Sequence, residues 1–269
     1  MPAETTVLAH DADVGADAFS FCLTGRAFAP HFHPAWVLGC VLSGRRRLSV
    51  QGREYLAGQG DAVILRPGEV HACAPAGSAA FVWRGFHFHP ESDAAAQLRS
   101  VAVTRNAGPV FPAGTLLDEL LEAHALMGSE ATPAQKKARL CKALLRLVTA
   151  AKPEQPSQPA SVPAPSEPRL EALRSHLQSH APERLTLDDM AAMARMDKFR
   201  LVRAFARLTG ATPYRYLESA RVNRAQELLG QGLSAAEAAL AAGFNDQSHL
   251  ARAFRSRLGI TPGACRRRP

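Results

Sequence analysis

The sequence predicts a multidomain protein: an all-β N-terminal barrel or sandwich followed by helices, then an all-α C-terminal domain carrying two helix-turn-helix units. Three observations predict it. Phe205 and Phe254 sit in near-copies of one segment, RAFARLTGATP and RAFRSRLGITP, offset by 49 residues. Short apolar or alternating runs punctuated by Gly and Pro fill residues 18–90. Between these regions, residues 152–168 read KPEQPSQPASVPAPSEP, with six prolines and almost no apolar side chains, a composition typical of a linker.

Composition bounds the classes of function. The 269 residues, 46% of them hydrophobic, suffice for two modest cores. No membrane span is visible. The N-terminus carries Asp11, Asp13 and Asp17 in place of a basic start and an apolar run, so neither a signal nor a transit peptide is indicated and a cytoplasmic location is expected. Five cysteines lie scattered without a CxxC pair, which argues against a disulfide framework and a structural zinc site. The charge is concentrated. Residues 1–168 hold 15 Lys+Arg and 15 Asp+Glu, while residues 169–269 hold 17 and 9 and so carry the whole +8. That field attracts polyanions, and its arginines are spread over several short helices with ordinary apolar stripes, which is not the pattern of a membrane-surface helix.

In order along the chain, the runs AWVLGCVLS, RLSVQG, DAVILRP and AAFVWRGFHF read as strands, placing the barrel in residues 1–112. Residues 113–151 read as two amphipathic helices, LLDELLEAHALM and AQKKARLCKALLRLVTA, with apolar residues at three- and four-residue spacing. They can pack on the strand domain or form a homodimer seam. The linker of residues 152–168 should be extended, holding the flanking domains apart without fixing their orientation. Residues 169–269 then read as a lead helix to His180 and two helix-turn-helix units, about 186–208 and 234–257. Asp197 caps the second helix of the first unit and Gly210 ends it. Thr212 and Pro213 open a long helix to about Leu229, proline being tolerated at the first helical position. Ser234 and Glu237 form a capping box, Gly243 makes the turn, Asp246 caps the next helix, Gly259 ends it and Thr261-Pro262 opens a last short one.

With those residues in view, LVRAFARLTGATPYRYLESARVNRAQELL and GFNDQSHLARAFRSRLGITPGACR together resemble the DNA-binding domain of the AraC/XylS family of bacterial transcription regulators over nearly its full length. The resemblance implies that each unit places its second helix in the major groove of successive turns of one DNA face. Helical spacing puts Leu201, Phe205 and Leu208, and likewise Leu250, Phe254 and Leu258, on inward stripes. Phe199, Arg200, Val202, Arg203 and Arg207, and Gln247, Ser248, Ala251, Arg252 and Arg255, are left as DNA-binding candidates. Matched to the family pattern, base readout falls to Phe199, Val202, Arg203, Gln247, Ser248 and Arg252; arginine can donate bidentately to guanine and glutamine to adenine. The terminal run Arg266, Arg267 and Arg268 can also reach phosphate. Arg195 stands where many members have glycine.

The N-terminal half resembles the cupin-like effector domains of the same family. GRAFAPHFHPAWVLGCVLSG supplies Gly25, His31, His33 and Gly44, with Val37 or Leu38 where metal cupins carry glutamate; GDAVILRPGEVH supplies Gly60 and His71, with Arg66 in place of proline. His31, His33, Trp36, Arg66, His71 and Trp83 are the candidate effector-binding residues, imidazoles and arginine orienting a polar ligand against apolar walls. His31, His33 and His71 could hold zinc or iron, but an HxH turn more often packs than ligates, so no metal or other cofactor is expected. The function implied is a DNA-binding transcriptional regulator with double-stranded promoter DNA and a small-molecule effector as partners, and room for RNA polymerase contact. The rival is a metal-dependent cupin enzyme, a dioxygenase or isomerase, carrying a DNA-binding domain.

Overall fold

The computed structural model describes residues 5–104, 108–150 and 167–265. Residues 151–166 of the Pro-rich stretch and the run Arg266 to Arg268 lie outside the described residues. Among those described, ten strands form two facing sheets. They are β1 (Thr5–Asp11), β2 (Ala16–Leu23), β3 (Phe28–His31), β4 (Trp36–Ser43), β5 (Arg45–Val50), β6 (Arg53–Gly58), β7 (Asp61–Leu65), β8 (His71–Pro75), β9 (Phe81–Phe88) and β10 (Val110–Pro112). The larger sheet runs β1-β2-β9-β4-β7-β10 and the smaller β3-β8-β5-β6.

β4 is apolar at almost every position because both of its faces are covered. Val37 and Val41 point between the sheets, joining Leu48, Val50, Val63, Leu65, Phe81 and Trp83. Trp36, Leu38 and Cys40 point the other way, into a core shared with α1 (Asp93–Thr104), α2 (Leu116–Leu126) and α3 (Pro133–Ala150). The sequence left the partner of the two amphipathic helices open; their buried Leu116, Leu120, Leu140, Leu144 and Leu147 face the outer side of the larger sheet. Lys136 pins the start of α3 to the β1–β2 hairpin through Asp11 at 2.8 Å and Asp13 at 3.1 Å. α1 was not anticipated by periodicity. Gly39 and Gly85 are cross-strand partners whose missing side chains admit the Trp83 indole, since a Cβ on Gly39 would lie 2.4 Å from it.

The C-terminal half is helical: α4 (Pro168–Ser179), α5 (Leu187–Ala194), α6 (Lys198–Thr209), α7 (Pro213–Gly230), α8 (Ala235–Ala241), α9 (Gln247–Leu258) and α10 (Pro262–Cys265). α7 is buried on most of its sides and serves both units. Its N-terminal part joins the core of α4, α5 and α6, and its C-terminal part the core of α8 and α9.

One expectation is overturned. The two halves are not held apart: Phe32, just past β3, stacks on Tyr216 with ring centroids 4.6 Å apart and inserts into the core of the first helical unit. Its backbone is tied to α7 at both polar atoms, the N–H donating to Ser219 Oγ at 3.1 Å and the carbonyl accepting from Asn223 Nδ2 at 3.1 Å. Arg26 also donates to the Gly259 carbonyl at 2.7 Å. The physical reason is that a buried aromatic with both backbone groups satisfied fixes an orientation whatever the linker's stiffness.

Candidate nucleic-acid interface and effector cavity

Each helix of the two units begins where a side chain satisfies the free N–H groups of its first turn. Thr186 and Asp189 form a reciprocal box, Asp189 N–H donating to Thr186 Oγ1 at 3.2 Å and Thr186 N–H to Asp189 Oδ2 at 2.8 Å. Ser234 and Glu237 repeat it. Asp197 accepts from the Arg200 N–H at 2.9 Å, and Asp246 from the His249 N–H at 2.8 Å, a bond that holds the Asp246 carboxyl below its usual range. The turns differ. Gly243 takes φ +88° where an added Cβ would meet Pro182, whereas the first turn makes the same left-handed step with Arg195 at φ 52°.

On α6 the inward stripe is Leu201 and Phe205, both fully buried, and on α9 it is Leu250 and Phe254. The opposite faces carry the candidate contacts. Phe199 is 80% exposed, so it is not a core aromatic. Arg200, Arg203 and Arg207 are exposed and Val202 half-buried; Gln247, Ser248, Arg252 and Arg255 are exposed and Ala251 half-buried. Arg200 meets Glu167 at 3.1 Å, while Arg203, Arg207 and Arg255 enter no ion pair among the described residues.

Between the sheets lies a cavity of about 120 Å³, lined in part by residues of the helical half. Its barrel walls are apolar, Phe19, Phe21, Phe28, Leu48, Phe81 and Trp83 among them, interrupted by His31, His33, His71 and His87. The register explains the grouping: His31 on β3 is the cross-strand partner of His71 on β8, and His87 on β9 is the partner of Val37 on β4. Burial pushes His31 and His33 well below the usual imidazole range, His71 down to about 4 and His87 to about 3. All four are therefore neutral near pH 7.

Four of the six residues named for effector binding, His31, His33, His71 and Trp83, line this cavity, and two do not. Trp36 faces the helices from the far side of the sheet, one step out of phase along β4, and Arg66 is exposed on the loop after β7. The charged groups that do line the cavity are Arg46 and Arg257. Arg46 is buried between the rings of Phe28 and Phe81, 5.3 and 5.2 Å from their centroids, and donates to the Arg26 carbonyl. Arg257 on α9 is 5% exposed and pairs with Glu218 of α7. Gln226, Leu258 and Ile260 complete a wall that belongs to the helical half.

Comparison with known proteins agrees with both halves of this arrangement. The AraC-like ligand binding domain model matches residues 13–161, and a helix-turn-helix domain model matches residues 190–268. The chain belongs to the AraC family of transcriptional regulators. It is 29% identical over 259 residues to YbfI of Bacillus subtilis, an uncharacterized HTH-type transcriptional regulator, covering 93% of this chain and 91% of that one. The MmsAB operon regulatory protein of Pseudomonas aeruginosa is 30% identical over 100 residues, 37% of this chain and 33% of that protein. ToxT of Vibrio cholerae shares the two-domain fold, with a TM-score of 0.53 at 11% identity over 93% of this chain and 97% of that one. This AraC-family member is thus a DNA-binding transcriptional regulator with an N-terminal ligand-binding domain. Among the described residues no helix is long and apolar enough to cross a membrane.

Proposed function

We propose that this regulator is a one-component switch in which a small molecule entering the barrel cavity changes how the helix-turn-helix domain engages promoter DNA. One observation carries the reading: the cavity is walled by both halves, with Gln226 of α7, Arg257 and Leu258 of α9, and Ile260 facing the barrel's aromatics. An occupant touches the DNA-binding domain directly. It can therefore differ in affinity between DNA-competent and incompetent arrangements, which is the requirement for coupling.

In this reading Phe199, Val202 and Arg203 of α6 and Gln247, Ser248 and Arg252 of α9 read base edges. Arg200, Arg207, Ala251 and Arg255 flank them, the arginines on phosphates. No reaction is assigned to the cavity, and the relatives are regulators, which favours this reading over a cupin enzyme. Promoter DNA places its work in the cytoplasm. One chain suffices for one pair of adjacent grooves; a homodimer would double the pair, and a contact with RNA polymerase would make the protein an activator.

The test is a compound screen on the full chain that reads melting temperature. A ligand that binds only the folded state at roughly 100 times its Kd adds about 2.7 kcal/mol of stability. The expected hit also shifts the protein's affinity for its promoter. Hits that raise the melting temperature through the cavity and leave DNA affinity unchanged would contradict the switch.

A further inference from the structure

We propose that His176 and His180, one turn apart at the end of α4, form with Glu183 just beyond it a binding site for a divalent ion of the zinc class. Each offers one ligand atom, and the three atoms all lie within 4.8 Å of one another. His176 Nε2 and the Glu183 carboxylate already stand 3.2 Å apart. Bonds of about 2.0–2.2 Å in a tetrahedral set place ligand atoms roughly 3.3 Å from each other. A rotation of the exposed His180 ring closes the remaining distance.

The local sequence builds the pair. A spacing of four sets both rings on one face, where they stack with centroids 4.3 Å apart and planes 10° from parallel. Two histidines at this spacing are how a single helix supplies a pair of zinc ligands. Ser179 fixes which nitrogen of His180 is available. Its hydroxyl donates to the Ser175 carbonyl at 2.9 Å, so its oxygen accepts from His180 Nδ1 at 2.8 Å. Nε2 is thereby left with the lone pair, and a hydrogen-bonded second nitrogen is what orients metal-bound imidazoles. Glu183 reaches back because the chain turns after the helix, its N–H donating to the His180 carbonyl at 3.0 Å.

The donor set selects the ion. Two imidazoles and one carboxylate suit zinc, nickel, cobalt or copper, whereas magnesium and calcium take sets made of oxygens. Without an ion the same groups gain little, since an exposed ion pair is weak and two protonated rings one turn apart repel. The site is not hydrolytic. Zinc hydrolases built on H-E-x-x-H carry a general-base glutamate directly after the first histidine, and here Leu177 occupies that position, fully buried in the core of the first unit. The ion secures a brace instead. The Ala181 and Glu183 carbonyls accept from Arg221 of α7 at 2.9 and 2.8 Å, and the Gly243 turn lies so near that an added Cβ would meet Pro182. An ion shared by α4 and Glu183 therefore fixes the segment against which both helix-turn-helix units rest.

The site lies outside the barrel and does not depend on the switch, because loading is read without DNA. The full chain, stripped with a chelator, is titrated calorimetrically with Zn²⁺ alone, as are His176→Ala, His180→Ala and Glu183→Gln. A saturable component of one equivalent is expected, weakened at least about tenfold by either histidine variant, the lower end of what losing even an outer-shell partner costs. Glu183→Gln, which keeps an oxygen donor and removes its charge, should weaken it less. Because the barrel also holds buried histidines, His31→Ala is the control and should retain the component. In that His31→Ala background zinc should raise the melting temperature, and adding His176→Ala and His180→Ala should abolish the rise. Circular dichroism checks that each variant folds. A titration and melting shift left unchanged by removing both α4 histidines would overturn the site, as would a component lost in His31→Ala and kept in the α4 variants.

Discussion

At the residue scale, Arg195 shows how sequence and backbone disagree at a cost. It occupies the left-handed turn of the first unit at φ 52°, a conformation that costs an L-residue about 1–2 kcal/mol and glycine almost nothing. Arg195→Gly should therefore stabilise the protein by about 0.5 kcal/mol after glycine's larger unfolded-state entropy is counted. Gly243→Ala should destabilise it by more than about 1 kcal/mol, because the added methyl would sit 2.8 Å from the Pro182 carbonyl oxygen at φ +88°. Urea midpoints measure both; a destabilised Arg195→Gly would mean the side chain holds the turn in some other way. Arg46 and Arg257 were legible in principle. Strand alternation puts Arg46 in phase with the buried Leu48 and Val50. The 49-residue offset sets Arg257 opposite Leu208, which packs half-buried against the core of the first unit, so an arginine there announces a partly or fully buried charge and a partner. Trp36 was misplaced because aromatic type outweighed its phase along β4, whose two faces are equally apolar.

At the element scale, the caps of α5, α6, α8 and α9 followed from local chemistry, since each depends on residues three or four apart, whereas Thr212 precedes α7 without a side-chain cap bond. The docking of β3 on α7 did not. It joins Phe32 to Ser219 and Asn223, 187 and 191 residues away, and no periodicity signals a contact between surfaces so distant in sequence. Asn223→Ala leaves the buried Phe32 carbonyl without its donor, a loss of about 1–3 kcal/mol. Because that bond spans the two halves, calorimetry should show a single unfolding transition splitting into two. A uniform downward shift with no splitting would place the bond's value within one half only. Helices α2 and α3 were visible as amphipathic, but the face they cover was not. The doubly apolar run of β4 was the available sign that a layer lay behind the sheet.

At the scale of the whole molecule, charge and cavity divide the labour. The excess of positive charge resides in residues 169–269, on which α6 and α9 expose their arginines, while the opposite side of α9 and the end of α7 close the barrel. In the proposed switch the same helix faces duplex and effector on two sides, and its position is the quantity both would bias. The most direct measurement is a methylation-interference footprint on the chain's own promoter, run with the native protein and with Arg203→Ala and Arg252→Ala. The account predicts interference in two successive major grooves about 10 bp apart, each variant losing one of them along with about 1–3 kcal/mol of specific binding. A single protected groove, or a pattern identical in all three proteins, would contradict it.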